Sequence, residues 1–114
     1  MEPLEELSLE RHGDVVLARV RGEIDLSNVP AVRDQLLHAV PNTARSLVLD
    51  LSDTDYLDSS GIRLIFELSS RLGIHGQDLH LVVPDDSIVR RILVITEVHR
   101  VVPLSTSVNA ALDG

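Results

Sequence analysis

Leu47-Val48-Leu49-Asp50-Leu51, running on to Asp58-Ser59-Ser60-Gly61-Ile62, decides the fold. The first half is an almost unbroken apolar run, the pattern of a strand buried on both faces. Asp50, Asp53, Asp55 and Asp58 then fall in a segment that reads as a loop. Asp58-Ser59-Ser60 stands directly before a helical pattern. A serine at that point meets the first free N–H groups of a helix, where a cap or an anion such as a phosphate is well placed. Three roles are open to it: a cap, a nucleophile or a switch.

Upstream, Leu7 and Leu9 alternate with Glu6, Ser8 and Glu10, and Val16, Ala18 and Val20 alternate with Leu17, Arg19 and Arg21. This period of two, interrupted by His12-Gly13-Asp14, predicts a hairpin. Gly22-Glu23-Ile24-Asp25 closes the second strand. Ser27 or Asn28 can cap the next helix, with Pro30 tolerated in its first turn. Val29, Val32, Leu36, Leu37 and Val40 form its apolar stripe, and Pro41-Asn42 ends it.

Downstream, Leu64, Ile65, Leu68 and Leu72 predict a helix from about Ser60 to Leu72, leaving through Gly73 and Gly76. Leu79, Leu81, Val82 and Val83 make a strand. Pro84-Asp85-Asp86-Ser87 opens a third helix carrying Ile88, Val89, Ile92, Leu93 and Ile95. Val101, Val102 and Leu104 make a short last strand, placed at a sheet edge by Pro103. A final helix near Thr106 buries Val108, Ala111 and Leu112. The order β-β-α-β-α-β-α-β-α defines an α/β fold, a single-domain mixed β-sheet with packed helices. Central strands apolar on both faces need cover on both sides, from the terminal helix or from a partner.

The 114 residues suffice for one core, and Tyr56 and Phe66 are the only aromatics, so that core is aliphatic. The net charge of −8 and the scattered arginines argue against direct nucleic acid binding and against anionic membrane surfaces. There is no cysteine, which excludes disulfides and thiolate chemistry. No apolar run approaches the roughly 18 residues of a membrane span. The acidic stretch from Met1 to Glu10 lacks the pattern of a secretory signal, so a cytoplasmic location is expected.

The chemistry of the stretch narrows in the same way. Ser59 is not in a Gly-x-Ser-x-Gly elbow, and none of His12, His38, His75, His80 and His99 is near it in sequence. The four aspartates lack the glycine and the terminal glutamate of a calcium loop. The chain has no lysine and no phosphate-binding glycine loop. No enzyme activity, metal or cofactor is expected. A phosphate on Ser59 would instead add about 1.5–2 negative charges beside Asp58.

Asp50-Leu51-Ser52 together with Tyr56-Leu57-Asp58-Ser59-Ser60-Gly61-Ile62 resembles the signature of STAS domains, specifically the bacterial anti-sigma factor antagonists. Gly22-Glu23-Ile24-Asp25 is similar to the family's second signature. The resemblance extends over nearly the whole chain, so residues 1–114 are expected to form a single STAS domain. It implies a binding module whose unphosphorylated form holds an anti-sigma factor that is also a GHKL-type serine kinase. Binding releases the sigma factor, phosphorylation ends the binding, and a phosphoserine phosphatase restores it.

Carried over by the motif, Ser59 is the phosphoacceptor, Asp58 its neighbour at the kinase contact, and Asp25 the acid of the adjacent loop. Ser60 and Gly61 complete the turn into the helix, and Ile62 and Phe66 supply a contact surface one helical turn long. Phe66 is either an exposed anchor or core filling. The family pattern departs at Thr96-Glu97, where many relatives have a glycine. The alternative within the family is a constitutive scaffold or adaptor in a signalling assembly, a transporter tail or a lipid-trafficking complex, with Ser59 as a structural helix cap.

Overall fold

The computed structural model describes residues 4–113, with the side chains of Leu4 and Glu5 left aside. Met1, Glu2 and Pro3, part of the acidic segment weighed as a signal, lie outside the described residues. The expected hairpin pairs β1 (Leu4–His12) with β2 (Val15–Ile24) in antiparallel fashion. α1 (Val29–Ala39) follows and leads to β3 (Ser46–Asp50). Then come α2 (Ser59–Ile74), β5 (Asp78–Val82), α3 (Ile88–Ile95), β6 (Leu104–Ser105) and α4 (Val108–Asp113).

One strand is additional. The segment expected to be loop contains β4 (Thr54–Leu57), which runs parallel to β2. β2 is long enough to serve two partners in succession. Its first half, from Val15 to Arg19, pairs β3, and its end, from Gly22 to Ile24, pairs β4. At the break the Thr54 hydroxyl donates to the Val20 carbonyl at 2.8 Å, so this buried acceptor keeps a partner. The main sheet order is β1-β2-β3-β5-β6, with β4 beside β2. Among the described residues β1–β2 is the one antiparallel pair, and the other pairings are parallel.

Every residue of β3 is buried, as its apolar run requires. Leu47, Leu49 and Leu51 face one core with Val32 and Leu36 of α1, Ile65 and Leu68 of α2, and Val89 and Leu93 of α3. Val48 faces the other side with Val15, Leu17 and Val82, where Ala111, Val108 and Leu112 of α4 pack. The cover on the second face therefore comes from the chain's own terminal helix. Full burial of such an aliphatic side chain is worth about 1.5–3 kcal/mol. The two-sided burial of β3 thus fixes the strand from which the site loop departs.

β6 is shorter than the expected last strand. Val98–Arg100 forms a 3-10 turn, and Val102 enters the core from the loop ahead of β6. β6 pairs only β5, so it is the edge that Pro103 indicates.

Candidate functional site

The carboxyl ends of β2, β3 and β4 carry three turns of one design. Asp25 Oδ1 accepts the Ser27 amide at 3.0 Å and the Ser27 hydroxyl. Asp50 Oδ1 accepts the Ser52 amide at 3.0 Å and its hydroxyl at 2.6 Å. Asp58 Oδ1 accepts the Ser60 amide at 2.9 Å and the Ser60 hydroxyl. The short side chain of aspartate reaches the backbone two residues on, which favours it in such turns.

Asp58 does more than close its turn. Its backbone is extended, with φ −91 and ψ −173, and its side chain is the N-cap of α2. Oδ1 takes the Gly61 amide at 3.0 Å as well, and the Asp58 carbonyl accepts the Ile62 amide at 3.1 Å. Oδ2 accepts the Leu26 amide from the β2–α1 loop at 3.1 Å. Partial burial pushes this carboxyl up. The hydrogen bonds from the Ser60 hydroxyl and from the Gly61, Leu26 and Ser60 amides outweigh that and hold it below the ordinary aspartate range.

This geometry corrects the expectation that Ser59 or Ser60 caps the helix. Asp58 is the cap, and Ser59 is the first helical residue, exposed to solvent. Among the described residues the Ser59 hydroxyl has no hydrogen-bond partner. The expectation of convergent free N–H groups is corrected too. The amides of Ser60 and Gly61 are held by the Asp58 carboxylate, and that of Ile62 by the Asp58 carbonyl. A phosphate on Ser59 would project from the surface instead of settling into a ready socket. The helix dipole would still favour it by about 0.3–1 kcal/mol, against repulsion from the adjoining carboxylate.

The adjacent loop is equally well fastened. The Asp25 carbonyl accepts the amides of Asn28 and Val29 at 3.1 and 3.0 Å. Asn28 stands at the N-cap of α1 but does not cap it with its side chain. Its Nδ2 donates to the Glu23 carbonyl at 2.8 Å and its Oδ1 accepts the Asp25 amide at 3.1 Å, so it fastens the loop across its base. Asp25 is buried, with Ser27 on its carboxylate. Leu26, between them, is 76 % exposed. Sequence reasoning passed over Leu26; the signal available was an apolar residue directly after Gly-Glu-Ile-Asp.

At Gly61 the start of α2 lies close against the ends of β2 and β4. A Cβ there would stand 3.3 Å from both the Ile24 carbonyl oxygen and Leu57 Cδ2. Ile62 does not present an exposed contact: it is 9 % exposed and belongs to the core, because its turn of α2 lies against the sheet. Phe66 is half-buried and packs on that core from its margin. The acids of the stretch also divide. Asp50 engages Ser52 and lies 3.4 Å from Arg19 Nε, and Asp58 caps α2, while Asp53 and Asp55 remain exposed.

These features coincide with a known family. A family model described as STAS domain matches residues 6–111, and the chain belongs to that family. It is 28% identical over 104 residues to the anti-sigma-F factor antagonist RsfB of Mycobacterium tuberculosis, covering 90% of this chain and 83% of that protein. The crystal structure of an anti-sigma factor antagonist from Mycobacterium paratuberculosis superposes with a TM-score of 0.84 at 27% identity, over 95% of this chain and 91% of the other. The Bacillus cell fate determinant SpoIIAA in its phosphorylated form shares the fold, with a TM-score of 0.67 at 19% identity over 95% and 97% of the two chains.

Proposed function

We propose that the protein, taken as one STAS domain over residues 1–114, is an anti-sigma factor antagonist switched by phosphorylation of Ser59. The observation that carries this reading is Ser59, exposed at the first position of α2 beside the Asp58 cap, its hydroxyl without a hydrogen bond among the described residues. The antagonists among its relatives support the general role. The unphosphorylated form binds an anti-sigma factor that is also a GHKL-type serine kinase, and the sigma factor is released. The kinase then modifies Ser59, and a phosphoserine phosphatase reverses the step. The protein acts by binding and not as an enzyme, and it works in the cytoplasm.

The mechanism is electrostatic. With the Ser60, Gly61 and Ile62 amides occupied, the phosphate's charge falls on the outer surface, where a docked partner meets it. About 1.5–2 added charges beside Asp58 repel a partner that fitted the neutral serine. Ser60 and Gly61 hold the turn, the Asp25 loop flanks it, and Phe66 lies two turns further along the same helix. The alternative of a constitutive adaptor with Ser59 as its cap loses the cap to Asp58.

The test is to mix the protein with candidate anti-sigma kinases and ATP and to locate the phosphate by mass spectrometry. Phosphate on Ser59, its absence in Ser59→Ala, and weaker binding of a folded Ser59→Asp variant are expected. Equal affinity of Ser59→Asp and wild type, or phosphate only at other positions, would remove the switch and leave the adaptor.

A further inference from the structure

Two adjacent serines stand at the start of α2, and the structure treats them differently. The Ser60 hydroxyl donates to Asp58 Oδ1, as Ser27 and Ser52 donate to Asp25 and Asp50. The Ser59 hydroxyl has no such acceptor among the described residues. We propose that Asp58 is a positioning residue that designates Ser59 as the phosphoacceptor by withdrawing the hydroxyl of Ser60. This rests on the reading of the protein as a kinase substrate.

The chemistry asks for a free hydroxyl. In the transfer, the serine Oγ forms a bond to the γ-phosphorus of ATP, and the bond from that phosphorus to the oxygen of ADP breaks. The serine proton passes to a base on the kinase. For Ser60 to react, its proton must first leave a charge-assisted hydrogen bond, the stronger kind. Asp58 does not activate Ser60 in exchange. Its Oδ1 already accepts two amide protons and Oδ2 a third, so it is a weak base that holds the hydroxyl without deprotonating it. Ser60 is also half-buried where Ser59 is exposed. The cap thus sets both the start of the helix and the choice between neighbouring serines.

Site-resolved phosphorylation tests this with an anti-sigma kinase and ATP on wild type, Asp58→Asn and Asp58→Gly. Glycine is tolerated at an N-cap at a cost of only a few tenths of a kcal/mol, and thermal melts establish that the variant folds. Asparagine keeps an Oδ1 that can accept from Ser60. The ratio of phosphate on Ser60 to that on Ser59, read by tandem mass spectrometry, should rise about tenfold or more in Asp58→Gly. It should rise by less in Asp58→Asn, whose amide oxygen still accepts the Ser60 hydroxyl but without the charge. The ratio is insensitive to an overall loss of kinase docking, which slows both serines alike.

A ratio unmoved in Asp58→Gly overturns the inference and leaves the switch standing. Phosphate on neither serine of the wild type removes both. A measurement without the kinase covers the case where Asp58→Gly takes no phosphate. The Ser60 hydroxyl proton should be visible by NMR, slowed in exchange, in the wild type and lost in Asp58→Gly. Its absence from the wild type overturns the inference.

Discussion

The backbone amide of Leu26 donates to Asp58 Oδ2 at 3.1 Å, so the loop after β2 hangs on the residue that caps α2. Replacing Asp58 by alanine releases the Ser60, Gly61 and Leu26 amides at once. The loss expected at neutral pH is about 1–2 kcal/mol, the upper range for a removed N-cap. It should depend on pH. The Asp58 carboxyl is held below its ordinary range in the folded protein. Its stabilisation is therefore fully present above the unfolded value, roughly 3.9, and is lost as pH falls through the lower folded value. Urea denaturation of wild type and Asp58→Ala from pH 7 to pH 3 should show the gap narrowing only below about pH 4. A gap that is constant with pH would mean that the carboxylate's charge contributes nothing.

The hairpin, the two-faced strand and the amphipathic helices are legible in the sequence because each is a local periodic pattern. β3 is the clearest case, since Leu47, Val48 and Leu49 leave no polar face. β4 is not legible in that way. Only Thr54 and Leu57 are buried, Asp55 and Tyr56 face solvent, and the strand's partner is the far end of β2. A pairing more than 30 residues distant leaves no mark in a four-residue window. The cap was ambiguous for another reason. Asp58, Ser59 and Ser60 are all good capping residue types, and the extended backbone at Asp58 makes the choice. The motif makes Ile62 part of a contact surface, but the approach of α2 permitted by Gly61 turns it into the core.

The turn at Thr96-Glu97 has a structural cost. After α3, Glu97 adopts a left-handed conformation with φ 63 and ψ 22. This is the position past a helix end where glycine is favoured, because a Cβ crowds the following carbonyl. The Glu97–Arg100 ion pair at 3.0 Å is exposed at both ends, and such pairs contribute little. Glu97→Gly is therefore expected to stabilise the domain by about 0.5–1 kcal/mol, the relief of strain exceeding the added freedom of the unfolded chain. Thermal and urea denaturation would measure it. An unchanged or lower stability would show that the ion pair and the turn compensate for the strain.

Gly61→Ala sets two effects against each other. Alanine improves helix propensity by up to about 1 kcal/mol. Its Cβ, however, would stand 3.3 Å from the Ile24 carbonyl oxygen and 3.4 Å from Ile24 Cγ2. The Leu57 side chain on the other side can shift, but the carbonyl is backbone and already accepts the Asp58 amide at 3.2 Å. Relieving the contact moves the start of α2 away from the end of β2 and strains the bond that orients the cap. Overpacking of this kind costs about 1–3 kcal/mol, so the packing term wins and a net loss of roughly 1 kcal/mol follows. The same displacement should shift the Leu26 and Ser59 amide resonances relative to wild type. A more stable Gly61→Ala protein with those resonances unmoved would mean that α2 has room to spare at the sheet.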